Sequence, residues 1–338
     1  MILVTGGTGL LGSYLLYELT SRGEKVRAMV RQPNQRKDIQ TIFQSLNGSK
    51  SLYDLIEWVD GDILDFFAVH EAVKGVKQVY HCAAFISFDP RDRNKMLKTN
   101  IEGTANLVNA CMQQGVEKIC HVSSIASLGR PEHGGIIDEN ARWKTSRLNS
   151  GYAISKYGSE REVWRGIEEG LKSVIVNPSV ILGAGSHPKA TNRIFLSIEK
   201  MIPFYNKGVN GYVDVRDVVR AMILLMESDI SGERFILNAE NLSLHELFSI
   251  AAGILGKREP FIPIGRIAMS LGWRLEWVRS RLTGQPAIVT RENLRSARAK
   301  SFYTAEKFRK QFNYTFIPVK ESLEEAFRIL GKLEHKKN

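Results

Sequence analysis

Cysteine is scarce in this chain. The three that occur, Cys82, Cys111 and Cys120, make no CxxC pair and cannot all pair with one another. That argues against a disulfide scaffold or a thiolate zinc site, and a reducing compartment fits best. Long hydrophobic runs are missing as well. Val218 to Met226 is short and broken by Arg220, and Phe261 to Trp277 is broken by Arg266 and Arg274. Both fall well below the roughly 18 unbroken apolar residues of a membrane span. No charged leader with an apolar core precedes the first motif, because Met1-Ile-Leu-Val-Thr5 enters it at once. The expectation is a soluble, cytoplasmic protein that is not exported. Repeats and low-complexity tracts are absent, and only His335 to Asn338 reads as frayed. Neither His81 nor His187 has a metal-ligand spacing, so no metal is expected.

What is present is an ordinary globular composition, 43% hydrophobic and 25% charged over 338 residues, enough for one large or two modest cores. The net charge of +11 is concentrated late: Phe261 to Asn338 holds sixteen Lys and Arg against seven Asp and Glu. That excess is either an attraction for an anionic substrate or surface, or a solvated helical face. No aromatic residues interleave it in the way that would point to nucleic acid.

Over the first half, short apolar runs alternate with helical patterns. Strands are expected at Met1 to Thr5, Lys25 to Val30, Glu57 to Val59, Gln78 to His81, Lys118 to Ser123 and Ser173 to Asn177. Helices are expected at Leu10 to Arg22, Phe66 to Val73, Lys98 to Gln114 and Gly151 to Glu169. The fold class that follows is α/β, a Rossmann-type doubly wound parallel sheet. After Pro178 the alternation gives way to a Gly/Pro-punctuated loop, Gly183 to Pro188, and to helical segments. Tyr212 to Val219 and Arg234 to Leu237 read as two short pieces handed back to the sheet. The expected division is a dinucleotide-binding domain of residues 1–177 plus about 211–240, and a smaller, mostly helical substrate lobe of residues 178–210 plus about 241–338.

Thr5-Gly-Gly-Thr-Gly-Leu-Leu-Gly12 stands directly after a strand and directly before a helix. In that context Gly6 permits a tight turn, Gly9 lets backbone approach a pyrophosphate, and Gly12 lets helix pack on strand. Thr8, Leu10 and Leu11 complete the cradle at the positive helix end. The alternative is a plain Gly-rich turn. Where an NAD site offers a carboxylate to the adenosine ribose, strand two ends in Val30 and then Arg31. A guanidinium suits a 2′-phosphate, so NADP is preferred over NAD, unless Arg31 merely caps the strand in solvent.

Tyr152 and Lys156 stand four apart in a predicted helix and therefore share a face. A phenol with a pKa of about 10 must be lowered by roughly 3 units to exchange a proton near neutrality. Lys156 and a positive nicotinamide would supply that shift, and Lys156 would also bind the nicotinamide ribose. Ser123 and Ser124 end the strand Ile119 to Val122 at the carboxyl edge, where ligands of open α/β sheets collect. Taken singly, Tyr152 reads equally as a packing residue and Ser124 as a turn residue.

In order along the chain stand TGGTGLLG at 5–12, Gly61-Asp-Ile63, His81-Cys-Ala-Ala84, Asn100-Ile-Glu-Gly-Thr104, Ser123-Ser124, Tyr152 to Lys156, Asn177-Pro178 and Val213-Asp-Val-Arg-Asp-Val218. Through these motifs nearly the whole chain resembles the extended short-chain dehydrogenase/reductases of the NAD-dependent epimerase/dehydratase family. Pro178 to Val215, with its Pro203 to Asp214 run, and Thr283 to Thr290 resemble its dihydroflavonol-reductase-like branch, which also holds hydroxysteroid-dehydrogenase-like and sugar epimerase-like proteins. The resemblance implies that Ser124, Tyr152 and Lys156 are catalytic, with Asn100 fixing the geometry. It implies that Asp62 and Ile63 contact adenine, that Ala83 and Ala84 line the ribose-pyrophosphate path, and that Pro178 and Val180 lie beside the nicotinamide. It further implies a homodimer, pairing the 98–114 and 151–169 helices, whose exposed face would hold Val163 and Trp164. Ile125, where related dehydratases carry an acidic pair, argues against dehydration.

The expected reaction is NADPH-dependent reduction of a small-molecule carbonyl. The alternative is an epimerase using bound NAD and the same residues, and a more remote one is a non-catalytic dinucleotide sensor. The substrate pocket is expected between Phe85 to Phe88, the Ser186 to Ala190 loop that holds His187, and the lobe around Tyr205 and Trp273. Phe85 and Phe88 suggest an apolar ligand there, or else pack the lobes together.

Overall fold

The computed structural model describes residues 1–46, 49–87, 89–129, 135–146, 149–185, 204–263 and 299–335, together with 265, 273–274, 279, 281 and 283. Phe88, His187 and the Thr283 to Thr290 motif except Thr283 lie outside the described residues.

The first half alternates as its apolar periodicity requires: β1 (Ile2–Thr5), α1 (Leu10–Ser21), β2 (Val26–Val30), α2 (Arg36–Ser45), α3 (Lys50–Asp54), β3 (Ile56–Asp60), α4 (Phe66–Val73), β4 (Gln78–His81), α5 (Arg93–Gln113), β5 (Lys118–Val122), β6 (Ile136–Ile137), α6 (Gly151–Glu168) and β7 (Ser173–Pro178). β8 (Val180–Leu182), β9 (Phe204–Tyr205), β10 (Val209–Asp214), α7 (Val215–Glu227), β11 (Glu233–Leu237), β12 (Glu240–Ser243), α8 (Leu244–Ile254), β13 (Ile262–Pro263), β14 (Phe302–Tyr303), α9 (Glu306–Phe312) and α10 (Val319–His335) follow. Every residue of β5 and β7 is buried, as strands covered by helices on both faces must be.

Seven strands form one parallel sheet in the order β11-β7-β5-β4-β1-β2-β3. The strand order reverses between β1 and β4, and the crevice outside their carboxyl ends is where such sheets take ligands. α1 packs Leu15, Leu16 and Leu19 into a cluster that also holds Val4 of β1, Met222 of α7 and Leu323 of α10. Truncating one of these leucines to alanine costs about 2–5 kcal/mol. A second cluster on the other face joins Leu3, Val79 and Ile119 to Leu107 and Val163.

Three features differ from the sequence reading. Only β11 returns to the large sheet, whereas β10 pairs with β8 and β12 in a separate three-stranded sheet. The run Tyr212 to Val219 is divided because Asp214 accepts a hydrogen bond from Arg216 N at 2.7 Å and so starts α7 in its middle. Helices α2 and α3 were not anticipated, and α5 begins at Arg93 rather than Lys98, after a turn started by the Asp89 side chain on Arg91 N. Val163 is fully buried, so it cannot belong to an exposed helix face. Trp164 is half-buried, with its indole nitrogen 3.3 Å from Glu160.

Candidate active site

The three glycines of the opening turn answer three separate steric demands. Gly6 has a φ of +71°, and a Cβ there would stand 2.5 Å from Ala83 N, so both the turn and the closeness of the β4 edge require glycine. At Gly12 a Cβ would stand 2.2 Å from Gly6 O, which only a bare α-carbon allows. Gly9 differs, since its φ is −83° and a Cβ would meet only Gly6 O, at 3.3 Å. Only Gly6 O within the chain stands close to that position, and the α-carbon faces the crevice without a side chain. The first turn of α1 has no side-chain cap and no acidic residue, so the Leu10 and Leu11 amides and the helix dipole face the crevice uncancelled. This cradle fits a diphosphate.

The rim is braced by residues on neighbouring loops. Thr8 donates to Gln35 at 3.1 Å, tying the glycine turn to the loop after β2. Asp62 accepts from Leu64 N at 3.0 Å, and Ile63 packs beneath Gly103 of α5. Asn106 donates to the carbonyls of Ile63 and Leu64 at 3.1 and 3.2 Å, pinning the loop on which the adenine contacts are expected. β2 ends with buried Val30 and exposed Arg31. The acid opposite Val30 is Asp60, which is ion-paired to Arg36. The edge beyond β2 and β3 therefore carries two guanidinium groups, the Asp60 carboxylate paired with Arg36, and the Asp62 carboxylate that accepts from Leu64 N.

Ser124, Tyr152, Lys156 and Asn100 come together at the carboxyl edge beside this turn. Ser124 follows β5, and its oxygen accepts from Ala126 N at 3.1 Å as the cap of a short turn. Ser150 caps α6 by accepting from Ala153 N at 2.9 Å, and the helix then carries Tyr152 and Lys156 inward. Ser124 hydrogen-bonds the Tyr152 side chain, which pulls the phenol's pKa down, but burial outweighs it and the net direction is upward. The sequence expectation of a lowered phenol is thus not met by the chain alone. Lys156 is 4% exposed and donates to the Val122 carbonyl at 2.8 Å. Burial pulls its ammonium down to about 8. Asn100 accepts from Phe85 N at 2.7 Å and donates to Phe85 O at 3.0 Å and to Ser155 Oγ at 2.9 Å. It locks the segment after β4 to α6.

Hydrogen bonds beneath the site run in one direction. Thr104 donates to Asn100 O at 2.6 Å, so its oxygen must accept from His81 Nε2 at 3.0 Å. His81 Nδ1 then accepts from Thr5, 2.8 Å away, whose oxygen accepts from Ala83 N at 3.3 Å. Burial keeps His81 neutral by lowering its pKa to about 3. This strand-end histidine orders both the glycine turn and Asn100.

Ala83 and Ala84 lie half-buried along the crevice, and Pro178 and Val180 flank Ser179 where β7 passes into β8. Phe85 is half-buried with Lys95 Nζ 5.0 Å from its ring, and the Tyr205 and His245 rings meet at a tilt of 56° with centroids 4.2 Å apart. Trp273 has Arg274 5.0 Å from its ring. Three contributors went unnoticed in the sequence. Asn106 lies two residues after the Asn100 to Thr104 motif and carries no signal of its own. Arg36 follows Arg31 across a Pro-Asn turn and was legible as a second cation. Glu160 lies one helical turn beyond Lys156, on the same face. Among the described residues no cluster of three His, Cys, Asp or Glu could hold a metal, and no helix is long and apolar enough to cross a membrane.

The family model described as "NAD dependent epimerase/dehydratase family" matches residues 2–238. A putative dihydroflavonol 4-reductase of Synechocystis sp. is 29% identical over 332 residues, covering 96% of this chain and 92% of the relative. Sterol demethylase protein B of Methylococcus capsulatus is 32% identical over 267 residues, covering 78% and 76%. Among solved structures, gox2253 matches with a TM-score of 0.79 at 30% identity over 98% of both chains. UDP-glucuronic acid 4-epimerase from Bacillus cereus, in complex with UDP-glucuronic acid and NAD, matches with a TM-score of 0.75 at 18% identity over 98% and 99%.

Proposed function

We propose that this chain, which belongs to the NAD dependent epimerase/dehydratase family and is an enzyme of the extended short-chain dehydrogenase/reductase type, reduces the carbonyl group of a small molecule to an alcohol, with NADPH preferred. The observation that carries this reading is the meeting of the Ser124 and Tyr152 side chains beside buried Lys156 at the sheet edge that also bears the glycine cradle.

The cofactor, when bound, supplies the hydride. The chain's own groups do the rest. The amides of Leu10 and Leu11, with Gly6, Gly9 and Gly12, hold the diphosphate, while Asp62, Ile63, Ala83 and Ala84 border its adenosine side and Pro178 and Val180 its nicotinamide side. Arg31 favours the 2′-phosphate, and no strand-end carboxylate opposes it because Val30 stands in that position and Asp60 is paired with Arg36. Ser124 Oγ binds the carbonyl oxygen, and Tyr152 Oη gives it a proton. The Lys156 ammonium stabilises the resulting phenolate, and Asn100 positions α6 through Ser155. Phe85, with Phe88 and His187, would face the substrate. A reducing cytoplasm, a substrate lobe built from residues 178–210 and about 241–338, and a homodimer formed through α5 and α6 belong to the same reading.

The test is to purify the protein, identify any co-purifying nucleotide by mass spectrometry, and follow NADPH absorbance with aromatic and aliphatic ketones and aldehydes. Net NADPH consumption supports the reductase. Tightly retained NAD with no net turnover would establish the epimerase instead.

A further inference from the structure

Glu160 is 2% exposed, one helical turn beyond Lys156 on α6, and five side chains among the described residues donate hydrogen bonds to it. Its Oε2 lies 2.6 Å from Ser123 Oγ, 2.7 Å from Ser127 Oγ and 3.0 Å from Asn177 Nδ2. Its Oε1 accepts from Arg234 Nη1 at 3.1 Å and from Trp164 Nε1 at 3.3 Å. Burying a carboxylate is expensive, and the cost is offset only where charge-assisted hydrogen bonds fill its lone pairs. Here they do, and they come from four different elements. Ser123 and Ser127 bracket Ser124, and Ser127 Oγ also lies 2.8 Å from the Ser124 carbonyl. Asn177, on β7, lies 3.1 Å from that same carbonyl. Arg234, on β11, turns its remaining N–H groups to the carbonyls of Glu139 and Ala141.

We propose that Glu160 is a positioning residue: by gathering Ser123, Ser127 and Asn177 around one carboxylate, it holds the backbone of Ser124 so that the Ser124 hydroxyl stays in hydrogen-bond contact with the Tyr152 phenol. The inference rests on the reading of Ser124 and Tyr152 as the catalytic pair. Glu160 sits on the same helix as Tyr152, so it references the β5 turn directly to the helix carrying the proton donor. A glutamine could not substitute. Its amide nitrogen would turn donors either toward the serines and Asn177 or toward Arg234.

The experiment places 3,5-difluorotyrosine at position 152 and follows its ionisation by fluorine NMR without any substrate or nucleotide. The fluorines bring the titration toward neutral pH. Ser124→Ala removes the hydrogen bond to the phenolate and raises the midpoint by about one pH unit. Glu160→Gln is expected to raise it equally, and the double variant no further. Loss of the Glu160 charge acting through space would lower the midpoint instead, so the direction separates positioning from electrostatics. An unchanged or lowered midpoint in Glu160→Gln, or additive shifts in the double variant, overturns the inference while leaving the catalytic pair intact. No shift in Ser124→Ala overturns the catalytic pair and the inference with it. If Glu160→Gln does not fold, Ser127→Ala carries the test, with a smaller upward shift expected and no shift counting against it.

Discussion

Asn100 holds Phe85 as a neighbouring strand would, its side-chain carbonyl accepting from Phe85 N at 2.7 Å and its amide donating to Phe85 O at 3.0 Å. The same amide reaches Ser155 at 2.9 Å, so one buried side chain joins the segment after β4 to the helix of Tyr152 and Lys156. The segment after β4 and the helix of Tyr152 are therefore not independent.

Asn100→Leu keeps the branching and the number of heavy atoms and removes all three side-chain hydrogen bonds. The Phe85 N–H and carbonyl lose their partner at about 1–3 kcal/mol each, while Ser155 Oγ keeps its bond to the Tyr152 carbonyl, so urea unfolding is expected to show a loss of roughly 2 kcal/mol or more. A loss under about 0.5 kcal/mol would mean that the clamp is not sampled in solution.

The glycines separate fold from binding. Gly12→Ala puts a methyl group 2.2 Å from Gly6 O and is expected to lower the melting temperature. Gly9→Ala meets only Gly6 O at 3.3 Å and is expected to melt like the wild type while losing at least about tenfold in NADPH affinity, about 1.4 kcal/mol of lost close approach. Unchanged affinity, read by fluorescence titration, would place the diphosphate elsewhere.

Lys156 sets a pH limit. Its ammonium is pulled down to about 8, so raising the pH through that value removes the charge that stabilises a Tyr152 phenolate. Turnover at saturating NADPH is expected to fall above about pH 8. The stability effect has the opposite sign: because the folded value lies below the ordinary 10.5, the cost of holding the buried ammonium disappears between about 8 and 10.5. The stability difference between the wild type and Lys156→Met should therefore narrow across that window. A turnover profile flat to pH 10 would remove Lys156 from the mechanism.

Arg31→Ser tests cofactor choice. Loss of one charge-assisted contact should weaken NADPH binding by about tenfold, the effect of ~1.4 kcal/mol, and leave NADH binding unchanged. Thermal shifts with the four nicotinamide nucleotides read the outcome, and no loss with NADPH would leave Arg31 as a solvent-facing strand cap.

The parallel core was legible because β1, β4, β5 and β7 are short apolar runs set between amphipathic helices. The glycine turn was legible because strand, glycines and helix coincide. Less visible were contacts that depend on tertiary position alone. Nothing local marks Asn106 as the residue that pins Ile63 and Leu64, or Glu160 as the centre of a buried donor set. The run Tyr212 to Val219 misled because apolar residues on either side of a cap look continuous, and the break lies in one Asp214 side chain. The upward direction of the Tyr152 pKa was not legible because burial is a tertiary property that helical spacing does not report.

The most direct test of the account is a paired measurement on Tyr152→Phe, using whichever carbonyl the wild type reduces. NADPH turnover is expected to fall by at least about 100-fold, the usual contribution of a positioned general acid, while NADPH affinity stays within about twofold of wild type. Turnover equal to wild type, or a loss of affinity as large as the loss of turnover, would contradict it.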